Sequence, residues 1–442
     1  MSTVERGSPG APEASLGRLV RLAAPTLVVL AAEPLYLLVD SAVVGRLGAV
    51  ALASLAVGGG LMAVCAWLGN VLAYGTTSRA ARQFGAGDRA AAVAEGVQAS
   101  WLALAGGCLM ILVGQLSAGP ACRALAGSSE VAAGAEAWFR VAVLGAPGLL
   151  LATAGNGWLR AVQDTARPLR YVLGVNLLSA AACPLLVYPA GLGLTGSAVA
   201  NAGAQTLGGL LFVRALLAER VSLRPRPAEL GEQLRLGRDL LLRGLAFQAS
   251  FLTAAAVVAR FGAASLAAHQ IALQLWMFCA FCLDAVAIAA QALVGAALGA
   301  GQAAQARALA RRAASLGAGC GTAVAVLIAA GWQVIPRWFT DDPRVWAAAA
   351  DAWPWFAAMQ PLAGVVFALD GVLIGAGDAR YLRDVTIVAA AGVFLPGALA
   401  AGWWDLGLGG VWAALALFVV ARLALLLARL RHGGWAVTGS RR

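Results

Sequence analysis

The 442-residue chain has no lysine, two histidines and little charge of either sign, with Asp, Glu and Arg together at 12%. Soluble domains carry about 25% charged residues. That shortage, with 61% hydrophobic residues and a mean hydropathy of +0.80, excludes an ordinary soluble domain and implies a polytopic membrane protein. His269 and His432 do not cluster with cysteines, so no metal-ligating constellation exists. Cys279 and Cys282 form a CxxC without a second pair, which reads as small apolar packing; no disulfide framework is implied. Walker A, HExxH and GxSxG patterns are absent, leaving ATP use and hydrolysis without support. No cleavable leader is visible either: residues 1–15 are polar and the first apolar run is full length. The first helix is therefore expected to act as its own insertion signal. A net charge of +11 is compatible with nucleic-acid binding, but the arginines sit between apolar spans, where the positive-inside rule accounts for them.

Apolar runs of 18 or more residues mark membrane spans. Twelve are expected, near 16–44, 53–75, 93–116, 138–158, 171–190, 196–218, 241–262, 267–297, 313–332, 353–375, 385–403 and 411–430. Placing both termini in the cytoplasm puts most connecting arginines inside, among them Arg79, Arg82, Arg167, Arg170, Arg235, Arg307, Arg311 and Arg383. Two long outer loops are expected at 117–137 and 333–352, and a charged, Pro-containing linker at 219–240.

That linker divides a duplication. GRLGAVALA begins at Gly45 and ARFGAASLA at Ala259, and 259 − 45 = 214. The same offset of 214 relates FGAGDRAA from Phe84 to LGAGQAAQ from Leu298. It also relates Gly157 to Gly371 and Gly193 to Gly407 in two further matching blocks. An even number of helices per repeat makes the halves insert the same way round. Parallel repeats of this kind enclose a central site and alternate access by rocking. The expected organisation is a tail at 1–15, a six-helix bundle at 16–218, the linker at 219–240, a second bundle at 241–430 and a tail at 431–442.

The first span places two carboxylates, Glu33 and Asp40, seven residues apart, hence on nearly the same side at about 100° per residue. Pro34 between them removes a backbone hydrogen bond. An ionisable group at membrane depth costs roughly 2.5–3.5 kcal/mol, which makes each a functional candidate. The repeat sharpens this: Asp40 corresponds to Ala254 and Glu33 to Phe247, while Asn70 corresponds to Asp284 and Asn156 to Asp370. The acids are not symmetric, which points to divided labour; plain divergence of the repeats is the competing reading. Burial favours the neutral form of Asp40, and water or an approaching cation favours the carboxylate, so such a group can hold and release a proton. Asn156 and Asn176 are its candidate neutral partners; plain interhelical hydrogen bonding is the competing reading. Gln270, Gln274 and Asp284 lie on one broad side of the eighth span with aromatic residues nearby, a surface suited to a lipophilic cation. Asp370, Asn70 and Tyr36 join the candidate substrate contacts. His269 reads as an interfacial hydrogen bonder, and Asp164 and Asp378 as partners of Arg167, Arg380 or their neighbours.

VDSAVVGRLGAVALA from Val39, the GAGD turns, and AHQIALQLW with LDAVAIAAQALVG after Ala268 resemble the multidrug and toxic compound extrusion (MATE) transporters, most closely the DinF-like branch. The resemblance implies an all-α, V-shaped molecule of two six-helix bundles that exports organic cations against proton or sodium entry, with no cofactor. By it, Asp40 matches the coupling acid of the first helix, and Asn156 and Asn176 match polar members of its network. The further acid that relatives often place on the fifth span is absent, as is the seventh-span glutamate of other branches, which favours protons over sodium. The expected protein is a monomeric proton-coupled exporter of amphipathic cations in a bacterial plasma membrane. A flippase for an anionic lipid would need arginines lining the cavity at membrane depth, and the arginines lie mostly at helix ends. A membrane-embedded enzyme lacks a nucleophile or metal set, and a channel lacks a polar stripe repeated in both halves.

Overall fold

A computed structural model describes residues 16–440. The expected N-terminal tail and the last two arginines lie outside the described residues. The first half comprises α1 (Leu16–Gly45), α2 (Ala49–Gly85), α3 (Arg89–Leu125), α4 (Ser129–Ala142), α5 (Ala146–Ala161), α6 (Ala166–Val187) and α7 (Gly193–Ala218). The second comprises α8 (Pro227–Ala259), α9 (Ala263–Gly299), α10 (Ala303–Ala330), α11 (Pro343–Gly375), α12 (Ala379–Ala389), α13 (Leu395–Trp403) and α14 (Gly407–His432). A 3-10 turn at Val143–Gly145 joins α4 and α5 into one crossing, and a π-helical turn at Ala390–Phe394 does the same for α12 and α13. Twelve crossings result. Eleven of these segments are long and apolar enough to span a membrane; the twelfth is the Gly- and Ala-rich α7. The protein is a multi-pass, all-helical membrane protein.

Helix starts and stops follow local chemistry. The Asp88 carboxylate accepts from the Ala91 N–H at 2.7 Å and caps α3, and Asp342 accepts from Arg344 N–H at 2.9 Å to cap α11. The turns before α3 and α10 each need a left-handed residue, supplied by Gly87 at φ 87° and Gly301 at φ 78°, the same place in the two repeats. Three connections are tighter than the sequence suggested. α3 runs on to Leu125 and α4 starts at Ser129, so most of 117–137 is helix. α11 begins at Pro343, shortening the other outer loop. α8 begins at Pro227, so most of the expected linker is helix; a proline at the first helical position forfeits no hydrogen bond there.

The large exposed apolar side chains, such as Leu38, Leu177, Leu210, Phe278 and Leu327, form the lipid-facing surface. Trp332, Trp338, Trp403 and Trp404 are exposed at the end opposite the arginine-rich one, where aromatic rings suit a membrane interface. The core of the second half is built from α9, α11 and α14 around Phe356, Leu369, Leu373 and Trp412.

The halves meet near the arginine-rich end. Ser78 Oγ donates to the Ile374 carbonyl at 2.6 Å, and the Arg82 guanidinium donates to Ala376 O at 2.7 Å. Arg82 also holds the C-terminal segment, donating to Val437 O and Gly439 O at 3.1 and 3.0 Å. Trp435 of that segment is 1% exposed in the second-half core, and Gly439 N–H donates to Leu298 O at 3.0 Å. The α1 helix bridges the halves: Leu19, Leu22 and Ala23 belong to the second-half core, whereas its other end packs on α6 and α7.

Candidate functional site

Two polar sites lie at membrane depth. The first is Asp40, 1% exposed where α1 meets α6 and α7. Its Oδ1 accepts from Ser197 Oγ at 2.7 Å and from Cys183 Sγ at 3.1 Å. Ser197 in turn accepts from Trp138 Nε1 at 3.1 Å, so its own proton is aimed at Asp40. Asp40 Oδ2 is buried without a hydrogen-bond partner, and no arginine or histidine pairs with Asp40 among the described residues. One turn back, the buried Tyr36 hydroxyl faces Ser179 and Asn201 but makes no hydrogen bond of ordinary geometry. Tyr188 donates to Val43 O at 2.7 Å and pins this end of α1 to α6.

Several expected members are elsewhere. Glu33 is exposed, unlike Asp40, because α1 leaves the first half for the second between them, and facing the same side of one helix no longer means facing the same neighbours. Asn176 donates to Val172 O of its own helix at 2.9 Å, and Asn156 keeps an unpartnered buried Oδ1; neither is bonded to Asp40. Ser197 and Cys183 take the place expected for them. A serine and a cysteine are common in membrane helices and carry no sequence signal of their own.

The second site is a cavity of about 340 Å3 walled by α2, α8, α9, α11 and α14. Asn70, Asp284 and Asp370 line it with Trp67, Phe247, Trp276, Phe367, Trp412 and Phe418. Asp284 accepts from Tyr74 Oη of the other half at 2.6 Å, and Gln291 Nε2 donates to Tyr74 O at 2.6 Å. Asp370 accepts from Arg422 Nη2 on both oxygens at 2.9 Å and also from Arg243 Nη2. Phe247 lies beneath both guanidiniums, 4.7 Å from that of Arg422 and 5.5 Å from that of Arg243.

Arg243 and Arg422 were hidden in sequence. Each sits inside an apolar span, but α8 starts in a charged stretch and α14 ends in Arg429 and Arg431, so both read as flanking charge. Their position removes the argument that no arginine lines the cavity. Asp40 and Tyr36, expected as substrate contacts, are sealed in the first half and do not line this cavity. Gln270 and Gln274 also fail to line it and are exposed. Gln274 points about 80° away from Asp284 at 100° per residue, and Gln270 lies beyond the first lining residue of α9. His269 is no interfacial hydrogen bonder: it is 0% exposed, its ring nitrogens lack partners, and it packs edge-on to Trp412 at 5.9 Å. Asp164 pairs with Arg167 at 3.1 Å, and Asp378 with Arg429 at 2.9 Å.

Twelve crossings in two repeats, with a mostly apolar cavity carrying two Asp and two Arg side chains, are the architecture of a secondary transporter. A family model described as MatE matches residues 25–185 and 240–399, and the chain belongs to that family of multidrug and toxic compound efflux transporters. It is 29% identical to Protein DETOXIFICATION 44, chloroplastic, of Arabidopsis thaliana, over 97% of this chain and 86% of the relative. It is 30% identical to DNA damage-inducible protein F of Escherichia coli strain K12, over 94% of this chain and 93% of that one. Its fold superposes with a TM-score of 0.86 on a solved structure described as the outward-facing conformation of a multidrug resistance MATE family transporter, at 21% identity and covering 98% and 100% of the two chains.

Proposed function

We propose that the protein exports amphipathic organic compounds in exchange for protons, with Asp40 as the proton carrier and the second-half cavity as the substrate site. One observation carries the reading: a fully enclosed carboxylate with no cation beside it and one oxygen unpartnered. An unpaired charge there is costly, so the neutral acid fits this conformation and Oδ2 takes the proton. Losing the proton demands water or a cation, and hence movement of α1 away from Ser197 and Cys183. The helix is suited to move at Pro34, which offers no N–H to the Leu30 carbonyl. Because the opposite end of α1 packs in the second half, that movement reaches the cavity. Phe247 and Ala254 leave the membrane-spanning part of α8 without an acid, which supports protons over sodium as the coupling ion. The protein works as a monomer in a bacterial plasma membrane with both termini in the cytoplasm.

Arg243 and Arg422 at the cavity favour a second reading, in which the cargo is an acidic lipid and the protein a flippase. Both are separated by one assay. Proteoliposomes are given a proton or a sodium gradient separately, and export of a fluorescent amphiphile and of a labelled acidic phospholipid is followed. The expected result is proton-driven export of the soluble amphiphile that Asp40→Asn abolishes while the variant still inserts. Undiminished proton-driven export by that variant removes Asp40 from the mechanism, and transfer of the phospholipid alone assigns the flippase.

A further inference from the structure

The charged residues lining the second-half cavity balance formally: Arg243 and Arg422 against Asp284 and Asp370. They are not equivalent. Arg422 is 3% exposed, spends its Nη2 on both oxygens of Asp370, and is covered by the Phe247 and Phe418 rings. Asp370 has no oxygen left for a ligand. Arg243 gives only Nη2 to Asp370, and its Nη1 bonds no described residue. Asp284 uses Oδ2 for Tyr74, and its Oδ1 bonds no described residue. Arg422 Nη1 bonds no described residue either, but that side chain is 3% exposed against 16% for Arg243, so Arg243 is the cation a ligand reaches, with Asp284 as the acceptor in the same aromatic chamber.

We infer that the cavity is a zwitterion site: it takes an amphiphile whose acidic group lies on Arg243 Nη1, whose ammonium group lies on Asp284 Oδ1, and whose apolar part lies among the rings. The inference rests on the cavity being the substrate site. A singly charged ligand satisfies one of the two groups and leaves the other unpaired in a mostly apolar chamber, which is costly. A zwitterion satisfies both and adds no net charge to the lining, behind which the buried Arg160 lies within electrostatic reach of Asp284. The flanking rings favour the ammonium end further. Small drug-like zwitterions and choline phospholipid head groups share this chemistry.

The test uses purified full-length protein in a neutral detergent and calorimetric titration with three probes on one biphenyl skeleton: a trimethylammonium, a sulfonate and a sulfobetaine. Dihexanoylphosphocholine is the fourth probe. The sulfobetaine is expected to bind about tenfold more tightly than either singly charged probe. Arg243→Gln is expected to move the preference to the ammonium probe, and Asp284→Asn to the sulfonate. Phosphocholine binding above that of the sulfobetaine assigns a lipid head group, and weaker binding assigns a small molecule. A singly charged probe that matches the sulfobetaine on the unmodified protein overturns the inference, as does an order unchanged by Asp284→Asn. Should Arg243→Gln fail to fold, those two measurements still decide. Absence of binding by every probe removes the cavity as substrate site and this inference with it. Loss of proton coupling in the Asp40 assay, with the charge ranking intact, would fault only the proton reading.

Discussion

Gly85 and Gly299 occupy the same place in the two repeats, and each is pressed against the other half's helix. A Cβ on Gly85 would run into the Ala296 carbonyl, and one on Gly299 into the Arg82 carbonyl. Residues 82 and 296 are themselves repeat-related, so the contact is reciprocal, made twice about one axis. The backbones of α2 and α9 touch here because neither carries a side chain at the crossing.

Filling that crossing is expected to part the halves at the arginine-rich end. Leucine at Gly299 forces backbone to move, an overpacking cost of about 1–3 kcal/mol. The readout is maleimide labelling of Ser78→Cys in a cysteine-free background, because Ser78 is buried against Ile374. Labelling should quicken about tenfold or more with Gly299→Leu. Equal rates would show that the glycine contact does not hold this face shut.

Arg82 adds a second clasp on the same face, through the C-terminal segment. Ending the chain at Gly433 removes Trp435 and the Val437 and Gly439 carbonyls, and Arg82→Ala removes the donor. Each is expected to speed the same labelling reaction. In combination they should add less than the sum of their separate effects, as residues of one network do. A fully additive pair would mean that the segment and Arg82 act apart.

Asp370→Asn leaves Arg243 and Arg422 side by side without their shared carboxylate. Removing one member of a buried ionic cluster costs about 3–5 kcal/mol. Thermal unfolding in detergent should therefore fall well below that of the unmodified protein. A midpoint unchanged within error would show that the cluster is not dry.

Glu219, at the end of α7, accepts from Arg89 at 2.8 Å and lies 3.5 Å from Arg167. Hydrogen bonding from Arg89 holds its carboxyl below the ordinary value. A lowered folded value means that its contribution is present above the unfolded value and lost as pH falls through the folded one. Both arginines are partly exposed, so the effect is below about 1 kcal/mol. The difference in melting temperature between the parent and Glu219→Gln should be small at neutral pH and vanish in acid. A difference that grows in acid would reverse the sign argued here.

The duplication was legible because turns demand particular backbone: Gly87 and Gly301 stand at one register in both repeats, and the intervening helices keep that spacing. Asp40 was legible as a charge inside an apolar run. Glu33 misled because periodicity describes one helix and its packing partners change along α1. Arg243 and Arg422 were illegible because each is continuous in sequence with interfacial arginines, and only the convergence of α8, α11 and α14 brings them onto Asp370. Ser197 and Cys183 reach Asp40 from helices that no spacing rule connects to α1.

The chamber around Asp284 owes part of its wall to α2, which contributes Trp67, Asn70, Val71 and Tyr74 from the opposite lobe. It is thus a vessel made of two shells, whose seam is the Tyr74–Asp284 hydrogen bond. In the proposed exchange cycle, a swing of the lobes separates the shells and the vessel stops existing, so cargo held there would leave because its container has come apart, with no dedicated door required.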